Sequence, residues 1–314
     1  MLGKTAGGLF WMFRYLERSE NTARLIEAGQ HIALTQSKTA GDEWAGVLKS
    51  AGTHAGYVDH HGEDVFRDRA VDWMLRAREN PSSVLNMAAA ARENGKLVRT
   101  ALTREVWEAV NENWLSLRDA LTRKVSERDL AEVLSLIRQR SAFVRGALSG
   151  TMLRNDIYDF SRIGTFLERA DNTARILDVK YYVLLPSVVS VGTSIDNVQW
   201  QTILRSVSAE GGFHMTYGQA ARPREIAQFL ILDKRMPRSL SFCVHKLQEN
   251  FYYLYNGSDN HLLCHDLCDQ LEAHTTTRTI DQIFESGLHE FITDFLAALG
   301  RLGSQTELDY RFYN

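Results

Sequence analysis

One stretch of this chain is written twice. Tyr15 to Glu27 reads Tyr-Leu-Glu-Arg-Ser-Glu-Asn-Thr-Ala-Arg-Leu-Ile-Glu, and Phe166 to Asp178 reads Phe-Leu-Glu-Arg-Ala-Asp-Asn-Thr-Ala-Arg-Ile-Leu-Asp. Leu16, Glu17, Arg18, Asn21, Thr22, Ala23 and Arg24 recur as Leu167, Glu168, Arg169, Asn172, Thr173, Ala174 and Arg175, 151 positions later. The remaining pairs are near-equivalents, such as Glu20 with Asp171 and Ile26 with Leu177. Neither copy contains Gly or Pro, and both are rich in helix formers. Met12, Leu16, Ala23 and Ile26 fall on one side at helical spacing, as do Ile163, Leu167, Ala174 and Leu177.

The opposite side carries a polar stripe: Glu17, Glu20, Asn21 and Arg24 in the first copy, Glu168, Asp171, Asn172 and Arg175 in the second, with Arg18 and Arg169 at the flank. Such a stripe is either a solvated face laced with ion pairs or the wall of a shared interior groove. Solvated faces tolerate substitution, so two copies drift apart there first. Here the stripe is the best-matched part. A buried Glu–Arg–Asn set has to satisfy its hydrogen bonds, which fixes residue identity and favours the groove.

The repeat extends further. Trp73 to Asn94 aligns with Phe229 to Asn250, placing Pro81 on Pro237, Ser83 on Ser239 and Arg92-Glu93-Asn94 on Gln248-Glu249-Asn250. The expected fold is all-α: an internally duplicated multi-helix bundle with pseudo-twofold symmetry. Residues 1–314 form a single domain of two merged repeats, about 10–150 and 155–305. Only four prolines interrupt the chain. Helices are expected over 5–34, Asp42 to Lys49, Tyr57 to Val65, Val71 to Arg78, a Ser82- or Ser83-capped run to Leu102, Arg104 to Arg123 and Arg128 to Ser149. The second half predicts helices over 155–185, Thr193 to Val207, Ala221 to Asp233, Leu240 to Tyr255, His261 to Ala273 and Thr279 to Gly300. The first of these stops at Pro186, and Asn256-Gly257 closes the run that ends at Tyr255. Trp73, Trp107, Trp114, Tyr252, Tyr253 and Tyr255 read as core, and Tyr310 to Tyr313 as an exposed-looking aromatic tail that either docks back on the body or contacts a partner.

A net charge of −3 gives no general attraction to nucleic acid or to an anionic membrane. No apolar run approaches the ~20 residues of a membrane span, and Arg14, Glu17 and Arg18 cut off the short run at Gly7 to Phe13, so a signal peptide is not expected. Three cysteines, Cys243, Cys264 and Cys268, fit a reducing compartment better than a disulfide framework.

Several sites are weighed and set aside. Gly7-Gly8 and Gly211-Gly212 lack the spacing of a phosphate-cradling loop, so autonomous use of ATP is not expected. Glu17 and Glu168 resemble paired metal carboxylates, but Glu20 and Asp171 stand where a ferritin-like site needs histidine, and arginines compete for the oxygens. No metal and no cofactor are expected. His261, Cys264, His265 and Cys268 share a helical face, yet one straight helix seldom closes a tetrahedron, so packing is the preferred reading.

Met1-Leu2, Phe10-Trp11-Met12, Arg14-Tyr15-Leu16-Glu17-Arg18, Glu20-Asn21-Thr22-Ala23-Arg24, Asn80-Pro81-Ser82-Ser83, Ala91-Arg92-Glu93-Asn94, Trp107-Glu108, Arg162-Ile163-Gly164, Leu167-Glu168-Arg169-Ala170-Asp171 and Pro237-Arg238-Ser239 together resemble the alpha-E family, named for its helices and its Glu-Arg motif. The chain departs from that pattern at Phe13, where the family often has Gly. The resemblance implies a bacterial, cytoplasmic, all-helical protein encoded beside or fused to circularly permuted ATP-grasp ligases, often with transglutaminase-like proteins as further partners. The function it implies is an accessory module of a peptide- or amide-bond-forming system. In that reading the stripe binds a peptide, a small substrate or the partner ligase. Two alternatives stay open: an enzyme using Glu17 or Glu168 as general base, and a purely structural network.

Overall fold

The structure is a computed structural model that describes residues 1–33, 40–184, 194–218, 222–255 and 261–313. Among them there are helices and no strands. Two long helices form the centre: α1 (Gly3–Ala33) and, with the chain's first half between them, α8 (Asp156–Leu184). The first half supplies α2 (Ala40–Ser50), α3 (His54–His61), α4 (Arg67–Arg76), α5 (Val84–Leu97), α6 (Arg104–Ala120) and α7 (Glu127–Thr151). The second supplies α9 (Ser194–Ser206), α10 (Glu210–Tyr217), α11 (Pro223–Leu232), α12 (Leu240–Tyr255), α13 (Leu263–Thr276), α14 (Ile280–Ser286) and α15 (Leu288–Asp309).

The central pair sits close because Gly164 of α8 meets the backbone of α1. A Cβ added there would lie 2.3 Å from the Phe10 carbonyl oxygen. Around this axis α1 packs on α5 and α7, with α6 across both, and α8 packs on α12 and α15, with α13 across both. The short helices cross over: α2 touches α8 as well as α1, and α9 touches α1 as well as α8. The apolar sides of α1 and α8 point into one continuous core, where Leu9, Met12, Ile26, Ile163, Leu177 and their neighbours are almost fully buried. Each fully buried side chain of this kind stabilises the fold by about 1.5–3 kcal/mol before the entropy of ordering is subtracted.

Local sequence explains several helix starts. The Ser83, Thr103, Ser126 and Thr279 hydroxyls accept from backbone N–H groups in the first turns of α5, α6, α7 and α14. Five expectations need correction. The run from Tyr57 to Val65 is cut at Gly62, whose φ of +83° ends α3. The run to Leu102 breaks after Leu97, and Arg99 to Ala101 form a single 3-10 turn. Thr279 to Gly300 is two helices, split at Gly287 with φ +96°. Helix α10 was not expected because Gly211 and Gly212 depress helix propensity; Phe213, fully buried and stacked 4.9 Å from Tyr217, overrides that local preference. Tyr252, Tyr253 and Tyr255 are exposed instead of core. Of the two fates open to the tail, it docks back, with Phe312 buried 5.2 Å from the Phe10 ring. The stops expected at Pro186 and Asn256-Gly257, and the start at Thr193, lie outside the described residues. No described helix is long and apolar enough to cross a membrane.

Candidate functional site

The two Glu-Arg dipeptides meet across the α1–α8 contact and exchange partners. Arg169 donates from Nε and Nη2 to Glu17 at 2.8 and 3.0 Å. Reciprocally, Arg18 donates from Nε and Nη2 to Glu168 at 2.5 and 2.8 Å. Side-on pairs of this kind combine two parallel charge-assisted bonds with fixed geometry. Both glutamates are almost entirely buried, so the pairs stand in a low-dielectric interior.

Further arginines complete the arrangement. Arg14 donates to Glu168 at 3.0 Å. Arg145 of α7 reaches Glu17 at 3.1 Å and Glu20 at 2.5 Å. Arg238, in the turn before α12, reaches Glu17 at 3.3 Å, Glu20 at 2.5 Å and Asn21 Oδ1 at 3.4 Å. Arg24 donates to Glu20 at 2.7 Å, and Arg175 makes the equivalent bond to Asp171 at 2.6 Å. Asn21 Nδ2 donates to the Glu168 carbonyl at 3.4 Å. Arg14, Arg145 and Arg238 were not singled out as site residues. Arg14 and Arg238 had a signal, since both lie in motifs that carry the family resemblance. Arg145 had none, being one of several charged residues along α7.

The electrostatics follow from burial against neighbours. Burial pushes the Glu17 carboxyl up, but Arg169, Arg145 and Arg238 together hold it well below the usual carboxylate range. Burial and the Glu17 charge oppose ionisation of Glu20, and Arg238, Arg145 and Arg24 outweigh them and lower it. Glu168 is likewise lowered, by Arg18 and Arg14 against burial. Burial brings Arg238 down to about 10, with the Arg169 and Arg24 charges adding to the fall against Glu17 and Glu20.

The stripe residues line two cavities. One, of about 370 Å³, lies beside Glu168 and holds Arg14, Arg18, Asn21, Asp171, Asn172 and Arg175 under the Ser50–Thr53 turn. The other, of about 520 Å³, lies beside Glu20 and Arg24. Glu17 and Arg169 line neither. In the first cavity, Asn172 Nδ2 and Thr53 Oγ1 are buried without a hydrogen-bond partner.

The His261 face is partly packed and partly open: His261, His265 and Cys268 line a cavity of about 570 Å³ together with Tyr252, Tyr253 and Tyr255. Cys264 and Cys268 are buried, and Asp309 caps the Cys264 backbone N–H at 2.8 Å. The Leu262 N–H donates to His265 Nδ1 at 3.3 Å, so Nε2 carries the proton and faces the Tyr310 hydroxyl at 3.1 Å. Exposed His261 pairs instead with Asp266 at 2.8 Å. Among the described residues no group of three His, Cys, Asp or Glu side chains is arranged to hold a metal.

These features define a class: an all-helical protein whose central helices are cross-bridged by paired Glu-Arg dipeptides. Residues 1–310 match Alpha-E, described as a predicted alpha-helical domain with a conserved ER motif, and the chain belongs to that family. No curated protein matches it, and no solved structure does.

Proposed function

We propose that this Alpha-E protein is an accessory, non-catalytic module of an ATP-grasp-linked, peptide- or amide-bond-forming system in the bacterial cytoplasm, with a ligase and a transglutaminase-like protein as partners. It binds the carboxylate end of a peptide or small amide in the cavity beside Glu168. The observation that carries this reading is the pair of buried, unpartnered groups there, Asn172 Nδ2 and Thr53 Oγ1. A buried polar atom left without a partner costs about 1–3 kcal/mol, and a ligand amide or carboxylate relieves that cost. Arg175, 37% exposed, and Arg18 supply charge for the carboxylate, and three guanidinium groups face two carboxylates on the wall. The ligase partner rests on the family resemblance, and the compartment on three free, buried cysteines.

The same reading includes an internal duplication with pseudo-twofold symmetry. Support comes from the exchanged Glu17–Arg169 and Glu168–Arg18 pairs. It comes also from matched packing, α1 with α5 and α7 against α8 with α12 and α15, and from the crossed α2 and α9 contacts. A role for Glu17 or Glu168 as general base is disfavoured by chemistry. A useful base has its pKa near the working pH, and carboxylates held far below that by several arginines are weak bases.

The test is calorimetric titration of the full chain with the dipeptide Ala-Gln and with its C-terminally amidated form. Ala-Gln binds, and amidation or Arg175→Gln weakens binding about tenfold. No binding to folded protein, or binding indifferent to both changes, would overturn the proposal.

A further inference from the structure

The second cavity presents a different chemistry. Its floor is Arg24 of α1, whose side chain is only 9% exposed. Arg24 Nη1 donates to the Ser208 hydroxyl at 2.7 Å and to the Ser206 carbonyl at 3.3 Å. One wall is α7, with Arg138, Gln139 and Arg145; another is the end of α9, with Arg205. Ser208 has a φ of +52°, a left-handed conformation uncommon outside Gly, Asn and Asp. It is the left-handed cap that ends α9, closed by the Ala209 N–H on the Leu204 carbonyl at 3.0 Å, and it turns the Ser208 hydroxyl to Arg24.

Four guanidinium groups line this cavity against two carboxylates, Glu20 and Glu27. Glu20 is already held by Arg24, Arg145 and Arg238. Glu27 is paired to Arg138 at the partly exposed rim, where an incoming anion can replace it. Arg205 is itself bonded to Glu210 at 2.9 Å, so the surplus is one positive charge until an incoming anion displaces Glu210 at this exposed rim. The donors come from three separate elements and line the cavity from different sides. A planar carboxylate offers its acceptors in one plane. A tetrahedral oxyanion offers them all round. Here guanidinium groups and hydroxyls would do what backbone amides do in a glycine loop.

We propose that the cavity between α1, α7 and α9 is a binding site for a phosphoryl group, separate from the cavity beside Glu168. At about 520 Å³ it has room for the phosphoryl group and for part of what carries it.

The test is titration of the full chain, followed by calorimetry and phosphorus NMR, with inorganic phosphate, pyrophosphate and adenosine diphosphate, and with acetate as the planar control. Phosphate binds, the diphosphates bind more tightly, and acetate binds at least about tenfold more weakly. Whichever diphosphate binds better identifies a free or a nucleoside-borne group. Arg138→Gln with Arg205→Gln lowers phosphate affinity at least about tenfold, and added salt lowers it further. Should the double variant not fold, Arg205→Gln alone, whose side chain is 57% exposed, replaces it. Arg175→Gln, in the other cavity, leaves phosphate binding unchanged, so this site and the peptide cavity fail separately. A folded chain that ignores phosphate and both diphosphates overturns the proposal. So does one that binds acetate as well as phosphate, or a folded Arg205 variant with unchanged affinity.

Discussion

Glu17 holds Arg169 side-on at 2.8 and 3.0 Å across 152 positions of sequence. Arg18, beside Glu17, returns the same grip to Glu168, beside Arg169. The Glu-Arg motif is therefore an exchange between two helices and not a pairing of neighbours within one. The order of the two residues matters because it lets each helix give one carboxylate and take one guanidinium at the same level of the contact.

Removing one member of the sealed pair leaves a buried charge. Arg169→Ala is expected to destabilise the protein by about 3–5 kcal/mol in urea unfolding. Arg18→Ala should cost less, about 1–2 kcal/mol, since Arg18 is 30% exposed and Arg14 stays on Glu168. Equal losses at the two positions would contradict the division between a sealed side and an open one.

Two sets of carboxyls give stability opposite slopes with pH. Glu17, Glu20 and Glu168 are lowered by their arginines, so the unfolded chain protonates before the folded one does. Their stabilisation is complete above the ordinary glutamate pKa of about 4.3 and is lost as pH falls through the depressed values. Asp159, only 6% exposed, runs the other way: burial first, then the Asp156 charge, raises it to about 7. Its contribution is complete below the ordinary aspartate pKa of about 3.9 and is lost as pH rises through about 7. Asp159→Asn should therefore gain about 1–2 kcal/mol of stability relative to the parent protein between about pH 5 and about pH 8, after discounting for solvent screening. Thermal melts at the two pH values measure this, and a variant equally shifted at both would refute it.

The central pair and its stripe were legible because a duplicated motif reports its own constraint. Burial of Glu17, Glu20, Asn21, Glu168 and Asn172 agrees with the argument that unmatched polar groups inside a protein fix residue identity. What single-sequence reasoning missed was supplied from a distance. Arg145 and Arg238 come from α7 and from the turn before α12, and no local spacing places them beside Glu17. The same holds for α10, where Gly211 and Gly212 argue locally against a helix that Phe213 secures by contact with Phe229. Gly62 and Gly287 were visible, but their positive φ was not, and that angle ends one helix and separates two others. The division of the stripe between two cavities depends on how α2, α7 and α9 lie over it, which the repeat does not encode.

The α1–α8 approach is set by Gly164. Adding a single methyl puts a carbon 2.3 Å from the Phe10 carbonyl oxygen, and a helix backbone cannot yield as a side-chain tip does. Gly164→Ala is expected to destabilise by about 1–3 kcal/mol, despite the intrinsic helix preference for Ala of about 1 kcal/mol. It should also lengthen the exchanged ion pairs, which hydrogen exchange of the α1 amides would report as faster opening. A stabilised variant would mean that the two helices part without loss.

The C-terminal residues carry the last prediction. Phe312 is 4% exposed and lies 5.2 Å from Phe10 and 6.0 Å from Phe160, ring to ring, while Tyr310 sets its ring 4.8 Å from Phe160. A Cβ on Gly7 would meet the Phe312 Cβ at 2.9 Å, so α1 is shaped to receive this tail. Phe312→Ala empties a packed site between the starts of α1 and α8, and should cost about 3–5 kcal/mol in chemical unfolding. Tyr313, next in the chain and 72% exposed, is the internal control. Tyr313→Ala should stay within about ±0.5 kcal/mol. Comparable losses at the two positions, or none at Phe312, would show that the tail is not part of the core.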